Sequence, residues 1–262
     1  MHRRQKSWLY IVAPICLGTF LLAGWYVTTA LRVYPNYLIP TPGAVAKAIW
    51  DGLIIYADMW GFIGTTLTAA LLGSLLGFCV ALPLAVLIYR SRLVSAAVIP
   101  FLGATQAIPA IALAPLLVTW VGFNTLGRVL LCAVMVFFPI LVSSVVGFRH
   151  IDQEILSAAQ VDGAGSLSLL FEIEIPSALP NILAGVRNGF TLSITGAVVG
   201  EMVMGGGGLG SLLYAQWASF NVAGMFATIF ILIVLATTLY TLVSIVERRW
   251  SNLTLPNEER QS

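Results

Sequence analysis

Long uninterrupted apolar runs, broken by short polar or charged segments, make up most of this chain. About six of them reach the roughly 20 residues that a helix needs to cross a bilayer. They lie near 8–31, 61–88, 94–121, 124–147, 180–203 and 222–246. Because the runs are continuous rather than alternating, they predict helices and not a membrane barrel. The expected fold is an all-α polytopic membrane protein with six transmembrane helices. No fixed-period repeat and no linker divides the chain. A single transmembrane domain over 1–262 is therefore expected, with its core at 58–248 and a polar insertion at about 150–178.

Within the runs, small residues and prolines are placed with a pattern. Gly73/Gly77, Gly185/Gly189 and Gly196/Gly200 are each four apart, a spacing that lets helix backbones approach where no hydrophobic effect drives association. The third run carries Pro100, Pro109 and Pro115 around Gln106. Each proline removes a helix hydrogen bond, and repeated kinks suit a helix that lines a moving cavity. Gln106 and Pro109 are accordingly candidates for a translocation pathway, although an interhelical hydrogen bond explains Gln106 equally well. Between the first two runs, Pro40-Thr41-Pro42-Gly43 precedes apolar positions Val45, Ile49 and Leu53. That spacing predicts a short amphipathic helix over Ala44 to Tyr56, with Pro42 two residues ahead suiting a helix start, lying at a membrane surface.

Composition excludes a water-soluble fold: 59% of residues are apolar and 9% charged, with a mean hydropathy of +0.94. The net charge of +2 is less informative than the position of the charges. With the N-terminus cytoplasmic, that face receives Arg3, Arg4, Lys6, Arg90, Arg92, Arg149, Arg248, Arg249 and Arg260. The other face receives only Arg32, Lys47 and Arg128. This bias is the positive-inside rule, and it predicts both termini on the cytoplasmic face. The run 8–31 is longer than a signal-peptide core and reads as an uncleaved first span. Cys16, Cys79 and Cys132 fall inside runs without metal or redox spacing and read as small packing residues.

The same topology places 148–179 inside. There Ser157-Ala158-Ala159-Gln160-Val161-Asp162-Gly163 is followed, ten residues past the glycine, by Ile173-Glu174-Ile175-Pro176. The alanines give a slim helical surface, Gly163 permits a turn, and Pro176 is expected to end a second short helix, so the segment predicts a helical finger able to enter a cleft of a soluble partner. It resembles the EAA loop of ABC-importer permeases, with Ser157 in place of the glutamate and Ile175 in place of the leucine. The resemblance extends over Pro180-Asn181-Ile182-Leu183-Ala184-Gly185-Val186-Arg187, Gly196-Ala197-Val198-Val199-Gly200-Glu201 and Gly207-Gly208-Leu209-Gly210. With Pro40-Thr41-Pro42 and Ala107-Ile108-Pro109, it is similar to the branch serving sulfonates, taurine, nitrate and pyrimidine-type precursors.

The resemblance implies a type I ABC-importer permease (MetI-like) fold with cytoplasmic coupling helices. It implies that Ser157, Ala158, Ala159, Asp162, Gly163, Ile173 and Pro176 couple the chain to cytoplasmic ATPase subunits. It implies too a second copy of the chain and an extracytoplasmic solute-binding protein, with ATP and Mg in the ATPase and no cofactor here. Glu201, near the outer end of the fifth run, is either a pathway residue or a carboxylate held at the water boundary. Arg187 is expected to snorkel or to bond the docking loop. The GxGxxG at 205–210 follows a membrane helix and not a strand, so it is read as a gate or turn, not a dinucleotide site. No phosphate loop, metal-spaced histidine pair or nucleophile elbow is present, and no coherent basic patch suits nucleic acid. An ion-gradient transporter or channel is the alternative, and Glu201 is the one carboxylate that would serve it.

Overall fold

The computed structural model describes residues 4–35, 37–106 and 109–254. In chain order its helices are α1 (Arg4–Ala30), α2 (Pro42–Trp50), α3 (Met59–Arg90), α4 (Arg92–Gln106), α5 (Ala110–Val121), α6 (Thr125–Arg149), α7 (Gln153–Val161), α8 (Ser166–Ser168), α9 (Ile175–Met204), α10 (Leu209–Ala218) and α11 (Val222–Thr254). No strand occurs among the described residues. Among the described residues five continuous stretches are long and apolar enough to cross a membrane: Val12–Ala30, Met59–Arg90, Thr125–Arg149, Ser166–Met204 and Val222–Glu247.

The third expected span is not one kinked helix. It is two pieces, α4 and α5, with Pro109 in extended conformation capping the second. Proline cannot donate the helix hydrogen bond at its own position and biases the residue before it away from helix, so the rod breaks there instead of bending. Together the two pieces still measure about 40 Å at 1.5 Å per residue, enough for one crossing.

The chain forms two compact units. The first comprises 1–60 and 212–231. In it α2 opens at Pro42, the residue the sequence marks as suited to a helix start, and Thr41 accepts the Ala44 N–H as its N-cap. Trp25 of α1 donates its indole N–H to the Pro40 carbonyl at 2.9 Å and stacks on Phe226.

The second unit, 61–211 with 232–262, is organised around α6. Helix α9 runs antiparallel to it: Gly147 lies against Ala178 and Asn181, Gly185 against Pro139 and Ser143, Gly189 against Val136, and Gly200 against Arg128. Helix α3 runs parallel to α6, with Gly73 against Val129 and Cys132, and Gly77 against Ala133 and Val136. The intervening α4 and α5 must therefore return the chain across the same thickness. At one end Ile88, Phe148, Leu156, Leu169 and Ile182 close a buried core, with Tyr89 stacked on Phe148 at 5.4 Å.

A Cβ at Gly185 would stand 2.7 Å from the Ser143 Cβ and 3.0 Å from the Pro139 carbonyl oxygen. Gly185→Ala is expected to push α9 off α6 and cost about 1–3 kcal/mol. Gly64→Ala, which meets no atom within 4 Å, is expected to be silent. The fraction surviving a heat step in detergent, read by size-exclusion chromatography, checks both.

Candidate functional site

After α6 ends at Arg149, Asp152 accepts the Glu154 N–H and caps α7. Leu156 turns inward to the core beside Phe148 and Ile151, which fixes the remaining faces of α7 outward. Ser157 is exposed, and its hydroxyl donates to the Gln153 carbonyl at 2.7 Å. Ala158 and Asp162 are exposed too, and Ala159 is half-buried. Two hydrogen bonds close the helix: Ala164 N–H to the Ala159 carbonyl and Gly163 N–H to the Gln160 carbonyl. This is the Schellman arrangement, and it needs a left-handed residue at 163. Gly163 has φ +86° there, and a Cβ at that position would meet nothing within 4 Å.

The return limb departs from expectation. Pro176 does not end a helix; α8, a π-helical turn over Leu169–Glu174 and α9 join into one helical stretch, Ser166–Met204. Within the π turn Ile175 N–H reaches back five residues to the Leu170 carbonyl. Pro176 sits in the first turn of α9, where its missing N–H is least costly. Ile173 packs half-buried against the core.

A single side chain ties this limb to α3. Arg90, the last residue of α3, donates to the Glu174 carboxylate at 2.6 Å and to both the hydroxyl and the carbonyl oxygen of Ser166. The Glu174 side chain is 5% exposed. Away from this clamp the finger shows apolar side chains to its surroundings: Ile155, Val161, Leu167 and Phe171 are all more than half exposed. They alternate with exposed acidic Glu154, Asp162 and Glu172.

The opposite end of the same unit holds Glu201. It is fully buried, and one carboxylate oxygen accepts from the Thr66 hydroxyl at 3.0 Å and the Gly210 N–H at 2.8 Å. Thr66 in turn accepts the Leu209 N–H. Gly208 is packed so closely on the carboxylate that any side chain there would overlap it. Buried Arg128 donates to the Gly206 carbonyl at 2.9 Å and to the Thr125 hydroxyl. The glycine-rich loop is thus pinned at both ends by buried charges.

The remaining sequence-derived positions are scattered. Pro109 is exposed at the α4–α5 break. Gln106 closes α4, and its side chain, like residues 107 and 108, lies outside the described residues. Arg187 pairs with Glu247 of α11 at 2.8 Å and lies over the Tyr240 ring. Among the described residues no three His, Cys, Asp or Glu side chains converge as a metal site.

The profile of the family described as binding-protein-dependent transport system inner membrane component matches residues 69–252. The chain belongs to that family. Its fold is the MetI-like fold of type I ABC-importer permeases, and it falls in the sulfonate, taurine and pyrimidine-precursor branch. It is 37% identical to the riboflavin transport system permease protein of Chloroflexus aurantiacus over 94% of this chain and 92% of that one. It is 27% identical to a putative aliphatic sulfonates transport permease protein of Bacillus subtilis, over 95% and 90%. A solved structure of the MetNI methionine ABC transporter in inward facing conformations shares the fold. Its TM-score is 0.64 at 17% identity, over 79% of this chain and 96% of that one.

Three functional groups of this permease escape a sequence reading. Arg90 and Arg128 look like boundary charges, yet each reaches back to bind the backbone of a distant segment. Thr66 is one hydroxyl in an apolar run, and only its placement opposite Glu201 distinguishes it. Arg90→Ala leaves Glu174 buried without its partner and is expected to cost about 1–3 kcal/mol, discounted for the partly open arginine. Glu201→Ala strands the Thr66 hydroxyl and the Gly210 N–H at a similar cost. Limited proteolysis should separate the two, with new cleavage at the finger for Arg90→Ala and at 205–210 for Glu201→Ala.

Proposed function

We propose that this chain is the membrane-spanning subunit of an ATP-driven importer and that its finger, 150–178, docks on a cytoplasmic ATPase. The observation that carries the docking role is the set of exposed apolar side chains, Ile155, Val161, Leu167 and Phe171, interleaved with the exposed carboxylates Glu154, Asp162 and Glu172 on α7 and the first turns of the Ser166–Met204 stretch. Val161 is 87% exposed, and a contiguous apolar patch of this kind is what a partner surface covers. In this reading Ser157, Ala158, Ala159, Asp162 and Gly163 form the leading edge of the finger. Ile173 and Pro176 belong to its rear limb.

ATP and Mg chemistry belongs to the partner. When two ATPase subunits close, the fingers of two copies of this chain move with them. The unbroken Ser166–Met204 stretch carries that displacement into α9, and the Arg90 clamp carries it into α3. Because α6 and α9 lie backbone to backbone, they shift as one body and open the path between copies to the other side. A solute-binding protein outside delivers the solute, which leaves inward after hydrolysis. Both termini are cytoplasmic in this arrangement. Gln106 and Pro109, at the broken third span, border the path, and Glu201 holds the loop that closes its outer end.

The test is co-expression with a candidate ATPase subunit from the same genome, purification in lipid and measurement of stimulated ATP hydrolysis. Gly163→Val puts a β-branched residue in left-handed backbone at a cost of about 1–2 kcal/mol, shifting the docked population roughly 5- to 30-fold. Stimulated hydrolysis should fall by that order, while Gly163→Asn, tolerant of the same conformation, should keep most of it. A chain that binds no ATPase and moves solute on an ion gradient alone would sink the proposal.

A further inference from the structure

A cavity of about 670 Å³ opens between α5, α6 and α9 in the second unit. Its size falls in the range of roughly 300–1,000 Å³ that encloses a small organic ligand. Pro139 stands near the centre of α6 with Ser143 one turn further on, and Asn188 near the centre of α9. Trp120 and Phe138 supply aromatic wall. Among the described residues no Asp, Glu, Lys or Arg lines it.

The polar groups in this apolar wall are few and unspent. The amide of Asn188 and the hydroxyl of Ser143 make no hydrogen bond among the described residues, and Asn188 is exposed to the cavity. Pro139 has no N–H to return to the carbonyl four residues earlier, that of Met135, which borders the same space. An unpaired amide turned to hydrocarbon is costly, so this face meets something that can hydrogen-bond. An anion such as a sulfonate would find no cation there to offset its dehydration. A flat ring finds two aromatic faces, and its amide-like edges find a donor–acceptor amide, a hydroxyl and a carbonyl.

Resting on the importer reading above, we propose that this cavity is a solute-binding site in the permease itself. Its ligand class is an uncharged, flat heteroaromatic solute with hydrogen-bonding edges, such as a flavin or pyrimidine ring. Asn188 and Ser143 read the edge of the ring, and Trp120 stacks on its face. The permease therefore selects its cargo in addition to any binding protein.

The experiment uses the assembled complex of this chain with its ATPase in nanodiscs, without a binding protein. Riboflavin and an aminopyrimidine serve as neutral ring probes and taurine as the anionic control, each measured by equilibrium dialysis. At least one ring probe is expected to bind saturably and taurine is not. Asn188→Leu should weaken the binding about tenfold, as should Trp120→Ala. Co-elution of each variant with the ATPase shows that it is folded and reports on the importer reading separately. Taurine binding in preference to both rings overturns the ligand class. Absence of ring binding in an intact complex overturns the site. Cysteines at Trp120 and Val142 that cross-link two copies, with no ring protecting them, would assign the groove to the second copy and overturn it too. Failure to assemble with the ATPase would instead strike the importer reading.

Discussion

The approach of α6 to α9 is the constraint on which the second unit depends. Glycines at 147, 185, 189 and 200 leave nothing between the two backbones but the opposite helix's own atoms. In hydrocarbon there is no aqueous penalty to drive helices together, so contact over a long smooth seam has to supply the cohesion. The seam also decides what the rest can do. With α9 fixed to α6 and α3 laid parallel beside it, the polar devices fall at the two ends and the open cavity falls between.

The ends are built alike from unlike parts. At one, Arg90 reaches from the end of α3 to Ser166 and Glu174. At the other, Arg128 and Glu201 reach to the backbone of a glycine-rich loop. In each case a charge that could have stayed in water is turned inward to hold a connecting segment. Connections otherwise drift, because they bury little apolar area of their own. Charge-assisted bonds to backbone give them a definite position.

Much of this was legible beforehand, for reasons that can be located. Span positions follow from run length, the opening of α2 from Pro42, and the finger from the spacing of Ala158, Gly163 and Ile173. What misled was proline. Pro109 was expected to kink a helix and breaks it. Pro176 was expected to stop one and is carried through by a π turn, a hydrogen-bond pattern with no residue signature. Arg187 illustrates a second limit: its partner Glu247 is 60 residues away, and only packing brings them together. Glu201 could be singled out by its depth, but its bonds to Thr66 and Gly210 depend on how α3 and the loop are laid down.

The π turn at Leu169–Glu174 has a geometric result of its own. A turn that spans five residues instead of four contains one residue more than an α-helix would, and each residue of a helix advances the facing by about 100°. Everything before the turn is thereby swung about a third of the way around the α9 axis from where an unbroken helix would aim it. The azimuth of the finger is set by that single inserted residue, independently of the side of α9 that is committed to α6. Two surfaces on one rod, one facing a neighbour within the bilayer and one facing out of it, can thus be oriented separately without breaking the rod.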